Sequence, residues 1–489
     1  MEKKNYIVGV DIGSSNVVVA VGCRRADGKV SVEGIALQSV ENGVTSGGID
    51  NVQSVGMAIR RAKTELEEEL GIHIDSAYAG ISGNFIRCAS YTDHVYINDP
   101  NGCISKGDLA SLRERMNNVK ADDGEQIIDR IPQCYFVDDG KETATPIGSF
   151  GRKLSATYLF VLCRKENIQR TEMAFYNAGL KMIDICVNPA VLPSALLSDE
   201  EREEGVAVID LGGGTTDIAI VRDNTLRYIA SIPIGASTIN DDMHAAGIAE
   251  RNTESVKKKY GAAVSDMVSP DVTFPVQMPG LAKKEFLQVN LAAIIEARLK
   301  DIIEFAWNEI RSAKFARKIP CGIVLTGGSA LLDNIDELFR RETGVNVRLA
   351  TASDFRGIDE ESQLKIQTFA NSAAVAILLA GASRGVCGVS EPVAKPEPAP
   401  THAASPVQQP KPNVAPAPQP TAAAPQPAPV AAEPAPQPIA TAPVAEPAPQ
   451  TDDADTDEED TEAEEHVGFF GKVSRWIENL LGNGNNDYL

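Results

Sequence analysis

The sequence is short of everything that would build a metal or disulfide framework. Its eight cysteines (Cys23, Cys88, Cys103, Cys134, Cys163, Cys186, Cys321 and Cys387) are scattered with no CxxC pair, and its five histidines form no ligand cluster. This argues against a zinc site or a disulfide scaffold, and a reducing cytosol is the expected setting. Long apolar runs are missing too, since none approaches the ~18 residues that a spanning helix requires. The opening MEKKNYIVGVDIGSSN lacks the small-residue cleavage site of a signal peptide and reads as an immediate strand, so the chain is expected to stay in the cytoplasm. Positive charge is scarce, with 46 Lys and Arg against 68 Asp and Glu. The net charge of -22 argues against a general nucleic-acid binder, which needs clustered basic residues. No GxxxxGK[ST] occurs, so the chain is not a P-loop enzyme.

What is present falls into three parts. From Asn5 to about Cys387, β-branched apolar runs alternate with amphipathic stretches and Gly-rich turns, an α/β pattern long enough for two or more packed domains. Strand-like runs include YIVGVDIG, NVVVAVGC, GVAVIDLG, TDIAIVRD and GIVLTGG, and FLQVNLAAIIEARLKDIIEFAWNEIRSA carries apolar residues at helical spacing. Near Ser390 the composition changes: 19 of the 29 prolines lie between Pro392 and Pro449, among Ala, Gln and Val. Such a segment cannot bury enough apolar area to offset its ordering entropy, and it reads as an extended linker with an rms reach of at least ~50 Å. About ten acidic residues between Thr451 and Glu465 extend it further. The third part is GFFGKVSRWIENLLGN. Taken as a helix, Phe469, Phe470, Val473, Trp476, Ile477, Leu480 and Leu481 fall within about 140° of arc, with Lys472, Arg475 and Glu478 on the other side. Too short to span a bilayer, it reads as a helix lying in a membrane interface, and docking on protein is the alternative.

Chemistry is concentrated at three glycine turns. In VIDLGGGTTDIAI an apolar strand delivers Asp210, then Gly212, Gly213 and Gly214 let successive backbone N–H groups converge where a phosphate can sit. Thr215 and Thr216 add hydroxyl donors, and Asp210 at the strand end could hold Mg²⁺ through waters. VGVDIGSSNVVVAV repeats the design with Asp11, Gly13, Ser14, Ser15 and Asn16, which suggests two similar halves facing one cleft. In GIVLTGGSALLDNIDELF the turn Gly327-Gly328-Ser329 would let backbone approach a base or its ribose.

This set, in this order, resembles the actin, Hsp70 and sugar-kinase superfamily. The resemblance implies two α/β domains around a nucleotide cleft holding ATP and Mg²⁺, with Asp11 and Asp210 at the two acidic positions near the metal. TESVKKKYGAA is similar to the bacterial-actin segment that contacts adenosine, which points to Glu254 and Lys257. The superfamily places a Gln or Glu that orients the attacking water where ICVNPAVLPSALL has Asn188. This shorter amide sets the water about one carbon further back, and losses of positioning on that scale cost ~10²-fold. Nucleotide binding with at most slow hydrolysis is the expectation.

Residues 82–162, with the ISG turn at Ile81 to Gly83 and IPQCYFVDDG…PIGSFGRKL, resemble the extra domain of the bacterial cell-division family FtsA. The likeness covers about residues 5–385. It implies an actin-like two-domain fold with an FtsA-type inserted subdomain. The expected arrangement is domain I in 1–81 and 163–204, the insertion at 82–162, and domain II in 205–238 and 319–387. A small FtsZ-docking subdomain follows at 239–318, a disordered linker at 388–465 and an amphipathic membrane-targeting helix at 466–489. Also implied are self-association into filaments, membrane lipids met through the C-terminal helix, other divisome proteins as partners, and the inner membrane face at the division site. The FtsZ C-terminal peptide is expected to meet Arg298, in the AR-x-x-(D/E)-like helix. Two rival readings stand beside this one. Another membrane-linked actin-like scaffold, of the pilus-assembly type, is not expected to carry both the insertion and the tail. A sugar-kinase-like phosphotransferase needs a second pocket with a carboxylate base, for which no motif occurs.

Overall fold

A strand buried on both faces must be apolar throughout, and β1 (Tyr6–Ile12) and β2 (Asn16–Arg24) are buried along nearly their whole length. The computed structural model describes residues 5–40, 42–277, 283–366 and 369–390. Every described residue belongs to one compact unit. The expected linker beyond 390 and the whole 466–489 helix lie outside the described residues.

β1, β2 and β3 (Val30–Ser39) form an antiparallel meander, followed by helix α1 (Val52–Leu70) and β4 (Ser76–Ile81). Asn51 caps α1 by accepting from Gln53 and Ser54 N–H, and Gly71 closes it in the left-handed conformation. The chain then departs into a separate sheet made of β5 (Ile86–Tyr96), β6 (Glu125–Val137), the two-residue β7 (Glu142–Thr143) and β8 (Lys153–Arg164), with α2 (Lys106–Asn117) between β5 and β6. It returns through α3 (Lys165–Ala178), β9 (Lys181–Val187) and α4 (Asn188–Leu196).

The second half repeats the plan. β10 (Val206–Leu211), β11 (Thr216–Arg222) and β12 (Thr225–Ile232) form a second meander. Helices α5 (Ser237–Ala245), α6 (Glu250–Tyr260) and α7 (Gln288–Ser312) come next, then β13 (Ile323–Thr326), α8 (Ile335–Thr343), β14 (Val347–Leu349) and α9 (Ser372–Arg384). The strand orders β3-β2-β1-β4-β9 and β12-β11-β10-β13-β14 are the same, with the last two joints parallel in each. The fold is therefore actin-like α/β with an inserted subdomain, as the resemblance implies.

Three buried clusters hold it together: one under the first sheet, one under the second, and a small one around Leu112, Met116, Tyr158 and Phe160 in the inserted sheet. Helix α9 reaches close to β1 because Gly9 has no side chain; a Cβ there would lie 3.1 Å from Ala374 O and Leu378 N. The end of the described chain is fastened to the first half. Cys387 N–H donates to Tyr6 O (2.9 Å), Gly388 N–H to Ser76 Oγ (2.7 Å), and Val389 and Ser390 pair with Ile74 and His73. Residues 389 and 390, within the stretch expected to begin the linker, thus still belong to a sheet, because the backbone of 73–74 offers them partners.

Candidate functional site

The two meanders turn identically at their first corner. Gly13 N–H donates to Asn16 O and Gly212 N–H to Thr215 O, both at 3.0 Å, so DIGSSN and DLGGGT are the same turn built twice. The turns meet face to face. A Cβ on Gly213 would fall 2.3 Å from Ser15 Oγ, and one on Gly214 would fall 2.4 Å from Ser14 Oγ. Beside them opens a cavity of about 600 Å³. Asp11, Gly13, Ser14, Ser15 and Asn16 line it from the first half, with Asn188 at the start of α4. From the second half come Asp210, Gly212, Gly213 and Thr215. Glu254 and Lys257 on α6 and the turn Gly327, Gly328 and Ser329 complete the expected set.

Two expected residues do not reach it. Thr216 is fully buried and its hydroxyl donates to Ile234 O (2.9 Å), since strand alternation turns it to the face opposite Asp217. Gly214 supports Ser14 of the facing turn and does not line the cavity.

Three carboxylates share the cavity. Burial pushes Asp11 up to about 6, against a hydrogen bond from Asn188 Nδ2 (2.8 Å) that favours the charge. Asp217, the register partner of Asp210, is likewise raised to about 6 by burial, although Ser231 and Ser82 hydroxyls hold it. Asp210 is raised well above the ordinary range by burial and then by Asp217 and Asp11. Such a trio is relieved either by protonation, which the raised values favour, or by a cation. Among the described residues no three His, Cys, Asp or Glu side chains converge for direct metal ligation. Asn188 spends its amide N–H on Asp11, and its buried Oδ1 has no partner. That oxygen is placed to accept from a water or ligand hydroxyl.

On the other side, burial of Glu254 is outweighed by Lys257 (2.8 Å), Asn240 (2.9 Å) and Lys258 (3.2 Å), which take it down to about 2. Lys257 is buried, which lowers its pKa against the pull of Glu254, and its Nζ also donates to Ala236 O (3.0 Å). The third turn bends at Gly327, whose φ of +93° and lack of a side chain let it lie against Asp210; a Cβ would be 2.2 Å from Asp210 Oδ1. Sequence reading missed Asp217, Ser82, Ser237 and Asn240, all of which line the cavity. A signal for Asp217 was available: it is the one charge in the otherwise buried start of β11. Arg298, expected to face an acidic peptide, holds Asp242 on α5 through two bonds (2.7 and 2.8 Å) and reaches Asp301 at 3.4 Å. The apolar residues 469–481 lie outside the described residues.

Family models match the chain in two places: that of cell division protein FtsA over residues 207–376, and that of the SHS2 domain inserted in FtsA over residues 84–162. The cell division protein FtsA of Pseudomonas aeruginosa is 30% identical over 392 residues, 80% of this chain and 92% of that one. Its namesake from Bacillus subtilis is 31% identical over 354 residues, 72% and 80% of the two chains. Among solved structures, the PilM-PilN type IV pilus biogenesis complex aligns with a TM-score of 0.53 at 14% identity, covering 77% of this chain and 98% of that one, a likeness of fold alone. The duplicated meander, the sheet inserted after β4 and sequence identity running across both halves agree, and the chain belongs to the FtsA family of cell division proteins.

Proposed function

We propose that the cavity binds ATP with Mg²⁺, and that the protein uses it to assemble into filaments which hold FtsZ polymers at the inner membrane face during division. One observation carries the nucleotide reading: two identical turns converge on a cavity whose three buried carboxylates have no positive counterpart among them. Bound Mg²⁺–ATP supplies both the cation those carboxylates lack and the polyanion that the facing N–H and hydroxyl groups suit. Asp11 and Asp210 would hold the ion through its waters. Ser14 to Asn16 and Gly213 to Thr215 would donate to phosphates, with Gly13 and Gly212 closing the turns that carry them, while Glu254, Lys257 and Gly327 to Ser329 would enclose the nucleoside. Asn188, pinned by Asp11, would hold a water with its free Oδ1. The short amide favours slow turnover.

Membrane attachment rests on the apolar arc from Phe469 to Leu481. Among the described residues no helix is long and apolar enough to cross a membrane. Seven side chains half buried at ~1–1.5 kcal/mol each give a gross gain near ~10 kcal/mol before ordering costs. Weak single anchors become firm when a filament presents many of them. FtsZ docking is assigned to the subdomain of residues 239–318, where Arg298 clamps α7 to α5. Arg298→Glu would set three acidic groups together there, and unchanged FtsZ-peptide affinity in that variant would defeat the assignment.

The test is liposome co-sedimentation of the full chain and of a version ending at Glu465, each with and without ATP–Mg²⁺. Lipid pelleting by the full chain alone, increased by nucleotide, is the expected result. Both versions remaining in the supernatant would remove the anchor.

A further inference from the structure

Ser82 stands where the chain leaves the first sheet. It follows β4, precedes β5, and is succeeded by Gly83 at φ +146°, so it is the root of the inserted subdomain. Yet its side chain belongs to the other half. Ser82 Oγ lies 2.6 and 2.5 Å from the two carboxylate oxygens of Asp217, 3.3 Å from Ser231 Oγ and 3.4 Å from Thr215 Oγ1. Ser82 and Asp217 are both buried, and both line the cavity. The backbone of Ser82 is pressed from behind by the hairpin tip at Gly47, where a Cβ would fall 2.0 Å from Ser82 O, and Gly47 N–H donates to Ser14 Oγ (3.3 Å).

A second line of contact runs from the same pair. Asp217 and Ser231 are register partners on β11 and β12. The inserted sheet leans on β12: Cys88 Sγ donates to Ile229 O (3.4 Å), Gln133 Nε2 to Leu226 O (2.9 Å) and Arg227 Nη1 to Gln133 O (3.2 Å). The inserted sheet therefore touches the second half at its root, where Ser82 meets Asp217, and along β12, whose Ser231 also faces that carboxylate.

We infer that Ser82 is a positioning residue that couples the content of the cavity to the setting of the inserted subdomain. The reason is competition for one acceptor. A carboxylate turned toward the water shell of a cation cannot keep both oxygens on the Ser82 hydroxyl. Loading the cavity draws Asp217 off, the hydroxyl passes to Ser231, and the root of β5 shifts against β12. A ligand moves such an equilibrium only by its differential interaction with the two arrangements, and the shared acceptor supplies that difference. Coupling is reciprocal, so a partner that holds the inserted sheet in one setting changes nucleotide affinity by the same factor. The inference rests on the nucleotide reading proposed above.

The experiment is hydrogen–deuterium exchange of the full chain, empty and saturated with ATP–Mg²⁺, for the parent, Ser82→Ala and Ser82→Thr. Saturation is verified in each by titration with a fluorescent ATP analogue. In the parent, saturation should change exchange at the start of β5 and along β12 several-fold. Ser82→Ala should lose that response at saturation, and Ser82→Thr, which keeps the hydroxyl, should restore it. A response of parental size in Ser82→Ala overturns the inference alone. So does a parent that binds nucleotide without any response. A parent that binds no nucleotide removes the nucleotide reading and the inference together. Should Ser82→Ala not fold, mass-mapped alkylation of Cys88 in the parent decides. A several-fold change on saturation supports the coupling, and an unchanged rate overturns it.

Discussion

The two turns that meet beside the cavity have one backbone and opposite side chains. The first is Gly13-Ser14-Ser15-Asn16, rich in hydroxyls; the second is Gly212-Gly213-Gly214-Thr215, almost bare. Position by position, Ser14 corresponds to Gly213 and Ser15 to Gly214. In space the pairing crosses: Ser14 Oγ fills the place of a side chain on Gly214, and Ser15 Oγ fills the place of one on Gly213. Two hydroxyl-bearing turns could not approach this closely, and two bare ones would leave a gap. The asymmetry is therefore a requirement of contact between two similar halves, and the glycines are needed for fit as much as for N–H donation.

The largest effect should come from breaking that complementarity. Gly213→Val places methyl groups where Ser15 Oγ sits, and overpacking of ~1–3 kcal/mol corresponds to a loss of up to ~10²-fold in nucleotide affinity. Exchanging the pair, Gly213→Ser with Ser15→Gly, should recover most of it in a fluorescent-nucleotide titration. A double variant as weak as Gly213→Val would mean that the hydroxyl must stay on the first turn for its chemistry.

A smaller loss, at least ~10-fold and confined to Mg²⁺-dependent binding, is expected for Asp11→Asn, because the amide cannot neutralise a cation. Equal loss with and without Mg²⁺ would place Asp11 in packing instead. Asn188→Gln should raise ATP turnover roughly fivefold by carrying the amide oxygen forward. The gain is limited by the tight seat against Gly80, where a Cβ would lie 2.7 Å from Asn188 Oδ1. Unchanged turnover with intact binding would show that water placement does not set the rate.

The smallest effect concerns pH. Asp11 and Asp217 are raised to about 6 from 3.8 in the folded chain. Between those values the folded state holds more protons than the unfolded one, so stability falls as pH rises through 6. The nucleotide-free protein should melt about 2 °C higher at pH 5.5 than at pH 7.5. ATP–Mg²⁺ should shrink that difference. Glu254, held near 2, titrates outside this window.

Local patterns carried much of this molecule. The doubled strand–carboxylate–glycine turn is written in a dozen consecutive residues, and it was legible because hairpins are made by near neighbours. The third turn and the long helix α7 were legible for the same reason. Thr216 was misplaced by counting residue types without counting faces: in a strand starting at Thr216, Asp217 and Thr216 must point apart. Other features were out of reach. Ser82 meets Asp217 across 135 positions, and Arg298 meets Asp242 across 56. No periodicity encodes such a meeting. The sequence around Arg298 does not show Asp242 as its partner, because that residue sits on a different helix. Asn188 was read as a short amide, but its bond to Asp11 joins positions 177 apart.

The fastening of residues 387–390 to Tyr6, Ile74 and Ser76 gives the molecule a mechanical grain. A pull applied at Ser390 enters the first half, through the short antiparallel pair of residues 389–390 with 73–74. A load applied there falls first on hydrogen bonds within that half, those of residues 387–390 to Tyr6, His73, Ile74 and Ser76.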